Sequence, residues 1–220
     1  MSTIIKAGNS TTGLALTADN TGQIELKTGT GSGTTALTLD SSQNATFASA
    51  ATITGNLTLT GNASGIIKSG TNVSASGTSV DFTGIPSTAN RITVMFNGVS
   101  TTGTSIVLVR LVSGGTVATT GYSAGAGQQT GTNATGVLTS GFPFATSGTA
   151  ASGYCGQMIL SNQNGNIWAA SGCSVSTTSG AIGYNGGIGT GLAGVLDQIR
   201  ITTVNGTDTF DAGTINILWE

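Results

Sequence analysis

Two stretches of the chain, Ala15–Leu26 and Ala36–Phe47, carry one pattern at an offset of 21 residues. The first reads Ala-Leu-Thr-Ala-Asp-Asn-Thr-Gly-Gln-Ile-Glu-Leu and the second Ala-Leu-Thr-Leu-Asp-Ser-Ser-Gln-Asn-Ala-Thr-Phe. A weaker copy, Asn56–Ile67, follows after 20 more residues. Each unit reads as strand, polar turn, strand, because its apolar residues alternate with polar ones at the period of a half-buried β-strand. A unit this short covers one face only and needs neighbours to complete a core. The inward positions are Leu16, Ile24, Leu37, Leu39, Phe47, Leu57 and Leu59. With few weak units in one chain, the expected neighbours are other copies, interwoven about a threefold axis with Thr and Ser outside. The alternative is a small β-meander packed on the rest of the chain.

Composition extends the β reading to the whole molecule. Of 220 residues, 36 are Gly, and counting gives 40 Thr and 24 Ser. Only 14 residues (6 Lys plus Arg, 8 Asp plus Glu) carry charge. Helix formers are too scarce for a helical protein. Ordinary disorder combines low hydrophobicity with high net charge, whereas this chain has a net charge of −2. The fold class is therefore all-β, with Thr, Val and Ile in strands and Gly, Ser and Asn in turns.

The same counts exclude function classes. The chain has no histidine, so Ser-His-Asp and Cys-His nucleophile systems and His-ligated zinc are ruled out. Six basic residues give no footprint for nucleic acid. The longest apolar runs are too short to span a bilayer. Met1–Lys6 lacks the order of a secretion signal, so cytoplasmic assembly without export by that route is expected. Cys155 and Cys173 both fall in strand-like stretches; they read as small buried thiols, or as a pair facing each other across neighbouring strands. Triplets such as Asn9-Ser-Thr and Asn133-Ala-Thr are expected by chance here.

Three segments follow: an N-terminal β-repeat over 1–67 for trimerisation and attachment, a Gly/Ser/Thr linker over 68–78, and a β-sandwich, jelly-roll-like, over 79–220. Strands are predicted at Ser79–Phe82, Arg91–Phe96, Ser105–Leu111, Thr116–Tyr122, Tyr154–Ser161, Ile167–Val175, Ala181–Tyr184, Val195–Val204 and Thr214–Trp219. Asn-Gly pairs begin at Asn97, Asn164, Asn185 and Asn205. The last, between Ile199–Val204 and Thr207–Phe210, reads as the clearest type I′ hairpin.

Tyr122, Phe142, Phe144 and Tyr184 lie in or near glycine-rich stretches. As aromatic tips on loops they are candidate contacts for sugar or protein; Gly141–Phe144 alternatively pins a long loop to the core. Trp168 and Trp219 read as core. Gly189-Thr-Gly-Leu-Ala-Gly194 matches G-x-G-x-x-G, but a strand pattern follows it where a dinucleotide site needs a helix. Asp208 and Asp211 have the look of paired carboxylates or calcium ligands, but turn chemistry explains both and is the favoured reading. Asp81 with Arg91 is a plausible structural pair. No catalytic, cofactor or metal site is expected.

Val80–Ser100, with the following Ser105–Leu111 stretch, resembles a module recurrent in bacteriophage structural proteins of the tail fibre family. The ending Asp208–Glu220, the opening Ser2–Gly8 and the 36–47 repeat are similar to parts of the same proteins. The resemblance implies a homotrimeric, fibre-like or knob-like virion protein. It implies as partners other copies of the chain, tail or capsid proteins held through the N-terminal segment, and a host-surface glycan or protein. The leading expectation is a short tail fibre for host adhesion, the alternative a capsid decoration protein. A glycan-degrading tailspike needs a longer β-helix and a carboxylate-lined groove, and the sequence has neither.

Overall fold

The computed structural model describes residues 22–30, 33–49, 51, 67–129, 134–150 and 152–220. No helix occurs among them. The chain divides into two units, Met1–Asn62 and Ala63–Glu220.

In the first unit, β1 (Ile24–Thr28), β2 (Thr34–Leu39) and β3 (Ala45–Phe47) form an antiparallel sheet in sequence order. Its register sets Ile24 opposite Leu39, Leu26 opposite Leu37, Leu37 opposite Phe47 and Leu39 opposite Ala45. Directly opposed residues share a face, so these six side chains form one apolar face. Glu25, Thr38 and Thr46 fall on the other, and Lys27 Nζ reaches Glu25 at 2.9 Å. The β2–β3 turn is held by Asp40, whose carboxylate accepts bonds from the Ser42 and Asn44 amides and the Asn44 side chain, each at 2.9 Å. No described residue between 22 and 51 is buried. Leu26 is 45% exposed and Phe47 52%. The four inward positions Ile24, Leu37, Leu39 and Phe47 thus share the face expected of them, and none of them is buried among the described residues. Leu16, Leu57 and Leu59 lie outside the described residues.

The second unit is a β-sandwich. Its strands are β4 (Lys68–Ser69), β5 (Val73–Ser74), β6 (Ser79–Thr83), β7 (Arg91–Thr101), β8 (Val107–Ser113), β9 (Thr116–Val117), β10 (Tyr122–Gln128), β11 (Phe142–Pro143), β12 (Tyr154–Asn164), β13 (Ile167–Ser176), β14 (Ile182–Gly189), β15 (Gln198–Thr203) and β16 (Phe210–Trp219). The eight-stranded sheet runs β10-β14-β13-β12-β7-β16-β4, with β5 also on β16. The five-stranded sheet runs β11-β8-β15-β6, with β9 on β8. One core joins them: Ile92, Val94, Phe96, Met158, Leu160, Ile215 and Ile217 from the larger sheet meet Val80, Phe82, Val109, Leu111, Ile199 and Ile201 from the smaller. Each such side chain, fully buried, contributes about 1.5–3 kcal/mol. Trp168 is core as expected, and Trp219 packs against it partly buried.

Several expectations need correction. Residues 68–78 are not a free linker: β4 and β5 pair with the C-terminal strand, and Ala75 is buried. Sheet pairing uses backbone groups, so a Gly/Ser/Thr composition does not forbid it. The Asn205-Gly206 turn is not a hairpin, because β15 pairs with β6 and β8 while β16 pairs with β7, β4 and β5. Asn205 Oδ1 accepts bonds from the Thr203 hydroxyl and the Thr207 and Asp208 amides, so the turn carries the chain from one sheet to the other. The Asn-Gly pair that does close a hairpin is Asn164-Gly165, between β12 and β13. Asp81 pairs with Arg200, directly opposite it across β6 and β15, through two bonds of 2.7 Å. Arg91 instead meets Glu220 at 3.0 Å.

Tyr122, Phe142 and Phe144 are not surface tips: they are 4%, 1% and 1% exposed. The glycine-rich stretch after Gly121 is strand β10, whose alternation turns Tyr122 inward. Its hydroxyl accepts the Leu111 amide at 2.8 Å, and its ring meets Phe142 edge-on at 5.0 Å between centroids. Phe144 stacks on Phe96 at 3.8 Å. The alternative reading of Gly141–Phe144, a loop pinned to the core, is the one the structure shows. Tyr184, 61% exposed, remains on the outer face of β14.

Candidate functional site

The inward side of the larger sheet changes character along its length. On β13 the inward positions run Trp168, Ala170, Gly172, Ser174, Ser176; on β12 they run Leu160, Met158, Gly156, Tyr154. On β10 they run Tyr122, Ala124, Ala126, Gln128. Pairing aligns these series, so Leu160, Ala170, Gly187 and Ala124 share one row and Gly156, Ser174, Gly183 and Gln128 another. Bulk and apolarity fall together toward one end. There the interior opens into a cavity of about 320 Å³.

Strand residues Gln128, Tyr154, Ser174, Ser176 and Gly183 make one wall, and Ala145, Thr146, Ser147, Thr149, Ala150 and Ser152 make the other. Thr178, Ser179 and Ala181, from the β13–β14 turn, complete the rim. The walls are braced. The Tyr154 hydroxyl donates to the Ser147 carbonyl at 2.8 Å, and the Thr146 hydroxyl donates to Gln128 Oε1 at 3.1 Å. The Ser152 and Ser176 hydroxyls, both on buried residues, lie 2.9 Å apart. Asn185 Nδ2 donates to the Phe144 carbonyl at 3.0 Å, fixing the segment where it leaves the core. Asn185 Oδ1 is buried without a partner among the described residues. No lining residue carries a charge.

The mouth sits at a definite place in the unit. The chain comes into the sandwich through β4, where Lys68 pairs with Trp219 and Trp219 with Ile92. Tyr154 pairs with Val99 and Ser176, at the other end of those strands. The hydroxyl-lined mouth therefore lies at the end of the sheet opposite β4.

The remaining candidates resolve into structural roles. Asp208 accepts the Ser105 amide at 2.9 Å and Asn205 Nδ2 at 2.7 Å, and those bonds hold its carboxyl below its ordinary value. Asp211 accepts the Ser100 hydroxyl. Among the described residues no group of three His, Cys, Asp or Glu is placed to hold a metal. A strand, β15, follows the Gly189–Gly194 motif. Gly191 is required by contact: a Cβ there would lie 2.0 Å from the Thr120 carbonyl oxygen, and one on Gly121 would lie 2.5 Å from Gly191 Cα. The cysteines are free, Cys173 exposed and Cys155 part-buried, so they are not the two buried thiols expected. They do sit on paired strands, but Cys173 opposes Gln157 and Cys155 opposes Val175. Diagonal neighbours stand about 7–8 Å apart, beyond comfortable disulfide reach.

The mouth was missed because its residues are common Ser and Thr. The usable signal was the alternation Trp168, Ala170, Gly172, Ser174, Ser176, which grades from apolar to hydroxyl on one face. Comparison with protein-family models, curated proteins and solved structures finds no match to this chain.

Proposed function

We propose that the chain is a non-enzymatic structural protein of a bacteriophage virion, a short homotrimeric tail fibre that holds the host surface through the far end of its sandwich. The observation that carries this reading is the braced, charge-free mouth at the end opposite β4. Strand ends are where a rigid sandwich presents variable contacts. The resemblance of Val80–Leu111 and Asp208–Glu220 to tail fibre proteins points the same way. Self-association is supported by the first unit, whose apolar face leaves Leu26, Leu39 and Phe47 exposed among the described residues. Packing copies through it supplies the core that a small sheet lacks. A binding rather than catalytic role is supported by the lining, which offers no carboxylate, thiol or amine for general acid–base work.

Cryo-electron microscopy of the whole particle tests the proposal. Density for this chain at the tail, with the mouth turned outward, is the expected result. Density spread over the capsid surface overturns it in favour of a decoration protein. Deleting residues 1–62 is expected to give a monomer that no longer joins the particle; a deletion variant that still joins it removes the attachment role of the first unit.

A further inference from the structure

We propose that the mouth binds an uncharged saccharide unit. The inference rests on the adhesion reading and names the ligand class of the same site. The lining decides the class. Ten of its 14 residues are Ser, Thr, Gln or Tyr, and none is Asp, Glu, Lys or Arg. A hydroxyl both donates and accepts, so a wall of hydroxyls matches a ligand made of hydroxyls.

Three other ligand classes fit worse. An anion such as a uronic acid or a phosphate needs a cation, and the described cations of the sandwich are engaged elsewhere. Arg91 pairs with Glu220, Arg200 with Asp81, and Arg110 Nε donates to the Ser140 carbonyl at 2.8 Å. Lys68 belongs to β4, at the opposite end. An apolar ligand needs large apolar walls, and apart from the Tyr154 ring the lining offers only Ala145, Ala150 and Ala181. A peptide strand needs an open sheet edge, and the β10 edge is taken by the 134–139 segment. There Leu138 and Ala124 exchange backbone bonds of 2.8 and 3.2 Å.

Size and rigidity agree. A cavity of about 320 Å³ falls at the lower end of small-ligand sites. Tyr154 supplies one ring against which a sugar face can lie, and its bond to Ser147 sets that ring before any ligand arrives. Unlike those of Tyr154 and Ser176, the Ser174 hydroxyl has no bonding partner among the described residues, which makes it available to a ligand.

The test is nuclear magnetic resonance on the isotope-labelled full chain, titrated with methyl glucoside, methyl galactoside and N-acetylglucosamine, and with glucuronate as the charged comparison. The expected result is saturable shifts at Tyr154, Ser174 and Gly183 with at least one neutral probe, in the millimolar range. They are expected to be unchanged by added salt and weakened at least about threefold by Ser174→Ala. Thr178→Trp, at the exposed rim, fills the mouth from outside the core and is expected to abolish the shifts while the rest of the spectrum stays in place. Shifts driven only by glucuronate and lost in salt overturn the neutral class. No shift with any neutral probe, while particles carrying Thr178→Trp lose adhesion, overturns the saccharide and keeps the adhesion reading. No shift, with Thr178→Trp particles adhering normally, removes both.

Discussion

Tyr122 shows how one buried hydroxyl ties sequence to stability. Its oxygen accepts the Leu111 amide, and burial pushes its pKa up from 10.0 to about 12. A raised pKa means that the unfolded chain releases the proton first. The contribution is full below pH 10 and is lost as pH rises toward 12. Tyr122→Phe leaves a buried amide unpaired and is expected to cost about 1–3 kcal/mol in urea unfolding at neutral pH. It is also expected to remove this part of the alkaline loss, and stability profiles of both proteins check the two effects together. Gly191 makes a second case. Gly191→Ala sets a methyl group against the Thr120 carbonyl and is expected to destabilise by about 1–3 kcal/mol. Thr119→Ala, at an exposed position beside Thr120, is the control expected to change little.

At the scale of elements, the sheet of the first unit carries the sharpest prediction. Leu26→Ser with Phe47→Ser, both exposed on the apolar face, is expected to convert the proposed trimer to a monomer in light scattering. Thr38→Ala on the opposite face is expected to leave the trimer intact. A wild-type monomer defeats the assembly argument. That face was legible in the sequence because alternation fixes which side a residue takes, and β1–β3 pair in chain order. What was not legible was partner choice between distant strands. Nothing local says that β15 joins β6 and β8 while β16 crosses to β7, so Asn205-Gly206 passed for a hairpin. Nor does composition show whether a glycine-rich stretch is loop or strand. Tyr122 and Phe142 passed for tips because their strand partners, Gly189 and Val109, lie far away in the chain. The polar mouth is built from four strands at once, and each contributes too little to stand out alone.

Across the whole molecule, charge is a minor force. The ion pairs among the described residues, Lys27–Glu25, Arg91–Glu220 and Arg200–Asp81, are all partly exposed, and such pairs are weak and screened. Stability in urea is expected to move by less than about 1 kcal/mol between low salt and about 1 M sodium chloride. With no histidine, it is expected to be flat from about pH 5 to pH 9. The acid limb begins as pH falls through the ordinary carboxylate value, because hydrogen bonds hold Asp40 and Asp208 below that value in the folded chain. A depressed carboxyl contributes above its unfolded pKa and loses that contribution as pH falls through the folded one. The grading of the inward faces has a further consequence, for how such a protein changes over generations. The residues that hold the two sheets together and those that line the mouth occupy different stretches of the same strands. Exchanging hydroxyls at the mouth leaves the row of Leu160 and Ile92 untouched, so under the proposed adhesion role a lineage is free to change hosts by a few substitutions without having to refold its scaffold.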